Sequence, residues 1–139
     1  MPSAEPAPTL EPTDLLSRYA TRSKHYNTYG ITPGAFMPNT KDMRLSVFCT
    51  TGLSYEETVA IAEENTPVAY GHGSSLVSFI RSLGLDADYN NDPHRHVDII
   101  GWPEAKDRQK SLAQKLSKEV NSSGNFCRYL EATKPKARL

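Results

Sequence analysis

The stretch DPHRHVDIIGWPEAKD, Asp92 to Asp107, sets His94, His96 and Asp98 at every second position. Side chains two apart on a β-strand share a face, so the spacing predicts two imidazoles and a carboxylate on one side of a strand. Such groups can ligate zinc or another divalent ion. The array lacks the Cys-x-x-Cys or His-Glu-x-x-His spacing of stronger zinc signatures. A hydrogen-bonded polar strand face is therefore the preferred reading of His94, His96 and Asp98, and no metal or other cofactor is expected.

A second group lies in AYGHGSS, residues 69–75, where Gly71 and Gly73 flank His72 and Ser74 or Ser75 would open a helix. Free amides at a glycine-lined helix N-terminus make an anion site, although the Gly-Lys-Ser/Thr ending of a P-loop is absent. A plain capping loop is the simpler reading. Joined in space, His72, Ser74, His96 and Asp98 would form a hydrolytic or transferase cluster. No Gly-x-Ser-x-Gly elbow supports it.

A third group is SRYATRSKHYNTYG, in which Arg18, Arg22 and Lys24 are interleaved with Tyr19, Tyr26 and Tyr29. Tyrosine and arginine can stack on bases and reach phosphates, and both are enriched in protein–protein hot spots. Lys plus Arg and Asp plus Glu number 16 each, for a formal net charge of zero. That balance disfavours bulk capture of nucleic acid or an anionic membrane, while leaving room for a local basic patch. A protein partner is preferred, contacted through Tyr19, Arg22, Tyr26, Tyr29 and Trp102.

The elements that must position these groups follow from local signals. The 139 residues fit one domain. Residues 1–12, rich in proline, read as a disordered tail, residues 13–130 as the folded domain and 131–139 as a flexible basic tail. Thr13 could cap a short helix over 14–20. The remainder to Asn39, with Gly30, Pro33, Gly34 and Pro38, reads as loop. MRLSVFCT alternates as a strand. Ser54 and Glu57 have capping-box spacing at the head of a helix over SYEETVAIAEEN, with Tyr55, Val59 and Ala62 as its stripe. A second helix is expected over SSLVSFIRSL, ending at Gly84. LDADY and HVDII read as strands joined by a turn at NNDP. Pro103 suits the first position of a last helix, with Glu104 and Asp107 in its first turn and Leu112, Ala113, Leu116 and Val120 as its stripe.

This order predicts an α+β fold, a small mixed or antiparallel sheet covered by about three helices in a two-layer sandwich. In it, Gly101, Trp102 and Pro103 make a strand-to-helix junction, with Trp102 as a buried anchor. Cys49 and Cys127 are expected to be free thiols. The N-terminal stretch lacks the features of a signal peptide and no apolar run approaches a membrane span, so the expected location is the cytoplasm.

ITPGAFMPNTKDMRLSVFCTTGLS, HRHVDIIGWP and AKDRQKSLAQKLS together resemble small bacterial proteins without an assigned activity. These share an aromatic-Pro segment, a Leu-Ser-Val-Phe strand and a His-x-x-Ile-x-Gly-Trp-Pro segment. Here His96, Ile99, Gly101, Trp102 and Pro103 match the last motif, and the likeness covers residues 31–118. The resemblance implies a bacterial, cytosolic domain and carries no reaction or ligand. The sequence therefore favours a small accessory protein that binds another protein and has no catalysis of its own. The rival is a small hydrolase or transferase acting on a phosphorylated or nucleotide ligand through His72 and His96.

Overall fold

The computed structural model of the chain describes residues 9–135. Their strands are β1 (Leu15–Ala20), β2 (Tyr26–Asn27), β3 (Gly30–Ile31), β4 (Leu45–Cys49), β5 (Gly71–Leu76), β6 (Asp86–Asp88), β7 (His96–Ile100) and β8 (Phe126–Arg128), and their helices are α1 (Tyr55–Asn65), α2 (Val77–Ser82) and α3 (Lys106–Ser122). Six strands form one antiparallel sheet in the order β6-β7-β4-β1-β5-β8, and β2 and β3 pair as a separate hairpin. The fold is α+β, with three helices packed on this antiparallel sheet.

Alternation along the strands builds two clusters. Leu16, Leu45, Val47, Cys49, Val97 and Ile99 point to one face and join Val77, Ile80, Leu116 and Val120 from α2 and α3. The intervening Tyr19 and Phe48 point the other way and pack with Ala62 of α1, Ala69 and Tyr129. Helix α1 thus lies on the opposite face from α2 and α3. Its Ser54–Glu57 capping box forms as the spacing predicts, with Ser54 accepting from the Glu57 amide and Glu57 accepting from the Ser54 amide. Trp102 is 7% exposed and donates its indole N–H to the Ile99 carbonyl at 3.0 Å, so it anchors the junction from inside.

Several local expectations are overturned. Residues 15–20 are not a helix but the central strand β1, hydrogen-bonded to β4 and β5. Residues 71–76 are strand β5 rather than a loop opening a helix at Ser74 or Ser75, and α2 starts only at Val77. The glycines there make room for packing. A Cβ on Gly71 would lie 2.5 Å from the Cys127 carbonyl oxygen, and one on Gly73 would lie 2.9 Å from a Val120 methyl. The last helix begins at Lys106, so Pro103 and Glu104 precede it and Asp107 alone supplies its first-turn acid. Strand β8 carries no strong sequence signal and forms because Phe126 to Arg128 register against Gly73 to Gly71.

The chain outside 13–130 is partly tied down. Leu10 packs against the larger cluster, and Thr133 exchanges two hydrogen bonds with the Ala69 backbone. Residues 1–8 and 136–139, parts of the two expected tails, lie outside the described residues. No helix among the described residues is long and apolar enough to cross a membrane.

One irregularity of the sheet prepares a site. Strand β1 pairs with β5 over six residues, but with β4 only at Leu16–Cys49 and Ser17–Phe48. Beyond Ser17 the two strands diverge. The Arg18 side chain occupies the opening, where its Nη1 donates to the Ser46 carbonyl at 3.0 Å in place of a ladder bond.

Candidate functional site

The sheet face that carries α1 holds most of the titratable groups singled out in the sequence. A file of rings crosses it: His96, Phe48, Tyr19, His72, Tyr129 and Tyr55, with consecutive centroids 5.4, 5.9, 6.1, 5.5 and 5.9 Å apart. His72 and His96 are on the same face but two rings separate them. They do not meet in one pocket.

His72 is held by packing. Its Nδ1 is 2.7 Å from the Tyr129 hydroxyl, and burial lowers its pKa to about 4. Burial also raises the Tyr129 phenol well above the ordinary tyrosine range, so the bond joins a protonated phenol to a neutral imidazole. Ser74 faces inward, hydrogen-bonded to Ser17, which in turn bonds Thr50, both at 2.7 Å. Neither His72 nor Ser74 opens onto a cleft with His96.

His94 does not share a strand face with His96. It is exposed in the turn before β7, which begins at His96. Asp98 does share that face. It accepts from Arg44 at 3.2 Å and from the Asn90 side-chain amide at 3.0 Å, and its other oxygen lies 3.5 Å from His96 Nε2. Among the described residues no group of three or more His, Cys, Asp or Glu is placed to hold a metal ion.

His96 sits at the centre of a relay that the sequence did not reveal. The Asn90 amide is oriented by Asp98: its nitrogen donates to the carboxylate, which turns its oxygen to His96 Nδ1 at 2.7 Å. An amide oxygen can only accept, so Nδ1 carries the proton and Nε2 is left as an acceptor. The Ser46 hydroxyl, 2.7 Å from Nε2, is its donor. Serine, imidazole and an orienting side chain are in the order that generates a nucleophile. Ser46 is brought to His96 by the β4–β7 register, in which Ser46 faces Asp98 and Phe48 faces His96.

This relay opens onto a cleft of about 190 Å³ between the sheet and the end of α1, lined by Arg18, Ser46, His96 and Thr66 over a floor of Tyr19 and Phe48. Among the described residues no carboxylate lines it, although Asp42 and Asp98 line the adjoining opening that Arg18 and Ser46 also border. Arg18 donates Nε to the Ala35 carbonyl at 2.7 Å and Nη1 to Ser46, and its remaining N–H groups have no acceptor among the described residues. Desolvation, with a smaller push from Arg22, lowers its pKa to about 10, which leaves it charged at neutral pH. His25, next to this group, is held neutral with a pKa of about 4, by burial first and then by Arg18, Arg22 and Lys24. Arg18, Arg22 and Lys24 thus gather around His25, while Asp42 and Asp98 lie on the other side of Arg18.

The tyrosines of the predicted binding set separate. Tyr19 is buried and donates to the Thr58 carbonyl at 2.6 Å. Tyr26 contacts the Tyr70 ring, 5.2 Å away, and lies under the Arg128 guanidinium at 4.8 Å. Tyr29, at the tip of the β2–β3 hairpin, is 89% exposed. Arg22 is exposed at the turn before the hairpin. Tyr26, Tyr29 and Arg22 therefore share one end of the molecule, whereas Tyr19 and Trp102 are internal. Compared with known protein families, curated proteins and solved structures, the chain finds no match.

Proposed function

We propose that this is a small cytoplasmic accessory protein that binds a small phosphate-bearing ligand in the cleft between β1, β4 and the end of α1. The observation that carries this reading is Arg18, a largely desolvated guanidinium with unused N–H groups and, among the described residues, no carboxylate at ion-pair distance. Removing a charge from water costs several kcal/mol unless it is paired, and an oxyanion would supply the missing pair with bidentate geometry. The cleft volume is below the roughly 300–1,000 Å³ of sites for drug-sized ligands, which favours a phosphomonoester of a small metabolite over a nucleotide. The free thiols Cys49 and Cys127 support a reducing compartment.

Titration of the isotope-labelled protein with inorganic phosphate, followed through backbone amides and the arginine Nε–H resonances, tests the reading. Shifts should concentrate on Arg18, Thr21, Thr66 and His96 and vanish in Arg18→Met. Shifts scattered over the surface, or reproduced by chloride at the same ionic strength, would refute it.

A second reading, protein recognition, is favoured by the hairpin end. Tyr29 projects there beside the Tyr26–Arg128 stack, and solvent-facing Tyr and Arg are common anchors of interfaces. Under this reading Tyr29→Ala abolishes a specific partner complex seen with the wild-type protein and leaves the phosphate-induced shifts intact. A complex that survives Tyr29→Ala removes the hairpin from consideration.

A further inference from the structure

We infer that Ser46 is a nucleophile toward phosphomonoesters, with His96 as its general base and Asn90 as the residue that positions the imidazole. The inference rests on the oxyanion-binding reading of the same cleft and adds chemistry to it.

Three features combine. The Ser46 hydroxyl is solvent-facing, and its 2.7 Å contact to His96 Nε2 is the only side-chain hydrogen bond it makes among the described residues. The opposite ring nitrogen is fixed as the donor by Asn90, whose own amide is fixed by Asp98. The ring is therefore held in the tautomer that can take a proton from serine. Arg18 supplies charge beside the nucleophile, since its Nη1 is bonded to the carbonyl of Ser46 itself. Phosphoryl transfer needs mainly positioning and neutralisation of the equatorial oxygens, and a desolvated guanidinium is suited to both.

The step balances without an added reactant other than water. Ser46 Oγ attacks phosphorus as its proton passes to His96 Nε2. The bond from phosphorus to the ester oxygen breaks, and that oxygen leaves with the proton from His96. Water, deprotonated by the same nitrogen, then attacks the phosphoserine. The P–Oγ bond breaks, the proton returns to Ser46, and inorganic phosphate is released. Asp98, 3.5 Å from Nε2, stabilises the imidazolium that forms transiently within each half.

The test uses the full chain with 4-nitrophenyl phosphate, and intact-protein mass spectrometry after treatment with a fluorophosphonate. Turnover and a single adduct on Ser46 are expected, the adduct forming as fluoride leaves phosphorus. Ser46→Ala should lose both while still showing the phosphate-induced shifts at Arg18. Asn90→Ala should lower kcat at least tenfold with little change in phosphate affinity, a split that a merely structural role would not give. Phosphate binding at Arg18 with neither turnover nor labelling at Ser46 overturns the nucleophile and leaves the binding site standing. Turnover that persists in Ser46→Ala also overturns it. Absence of phosphate shifts at Arg18 removes both readings together.

Discussion

Acidification should destabilise this protein through His72, beginning above the pH at which its carboxylates titrate. In the folded chain His72 is neutral, with a pKa of about 4, because burial disfavours the imidazolium. Its Nδ1 also shares a hydrogen bond with the Tyr129 hydroxyl at 2.7 Å. In the unfolded chain the same imidazole has its ordinary pKa near 6.5. Below that value the unfolded state binds a proton that the folded state does not, so stability falls as pH drops from about 6.5 to about 4 and is fully present above 6.5. A displacement of this size, at about 1.4 kcal/mol per pH unit, corresponds to about 3 kcal/mol. That is a large part of the roughly 5–15 kcal/mol that holds a domain together. His25 acts in the same direction, held neutral by burial and by three neighbouring cations. The assay is urea denaturation at pH 7, 5.5 and 4.5 for the wild type and for His72→Gln, whose side chain can still accept from Tyr129 but cannot titrate. The wild type should lose stability across this range, and the variant should lose less by about 2 kcal/mol. Equal slopes in the two proteins, or a folded-state His72 imidazole that titrates near 6.5 by nitrogen NMR, would refute the reasoning.

Trp102→Ala should cost about 3–5 kcal/mol, as deletion of a large buried aromatic does, and should leave a marginal or partly unfolded protein by thermal denaturation. A near-native midpoint would contradict its burial at 7% exposure. Ser75→Ala should be neutral or stabilising, because the Ser75 hydroxyl is buried with no hydrogen-bond partner among the described residues and an unsatisfied buried group costs about 1–3 kcal/mol. A loss above about 1 kcal/mol in the denaturation midpoint would show that the hydroxyl is satisfied.

Elements with a local cause were legible in the sequence. The capping box at Ser54 and Glu57, the alternation of β4 and the apolar stripe of α3 depend on residues within a turn or two of one another. Strand β1 was misread as a helix because LLSRYA has no β-branched residue and is buried on both faces, so no polar alternation marks it. Its conformation is imposed by β4 and β5, which come later in the chain. Strand β5 was misread for the opposite reason. Its glycines look like a loop signal, yet they are there for the backbone of β8 and the side chains of α3. The site divides in the same way. His96 and Asp98 were visible through their spacing. Ser46, 50 residues from His96, and Arg18, which fills a break in pairing, are joined to it only by strand register. The one signal that pointed toward Ser46 was the alternation of MRLSVFCT, which set it on the polar side of its strand.

The β2–β3 hairpin is two residues per strand, too short to persist alone. Its second strand is completed by a side chain. Asn121 of α3 accepts from the Ile31 amide at 3.0 Å and donates to the Ile31 carbonyl at 2.9 Å, reproducing both bonds of a neighbouring peptide. Gly30 lies so close to that amide group that a Cβ would collide with it. The hairpin is therefore an annex of the last turn of α3 rather than a unit of its own. In hydrogen exchange, the Ile31 amide should open with the fraying of Val120–Ser122 and not with the main sheet. The exposed Tyr29 at the hairpin tip would then be released or held by a helix end on the far side of the sequence.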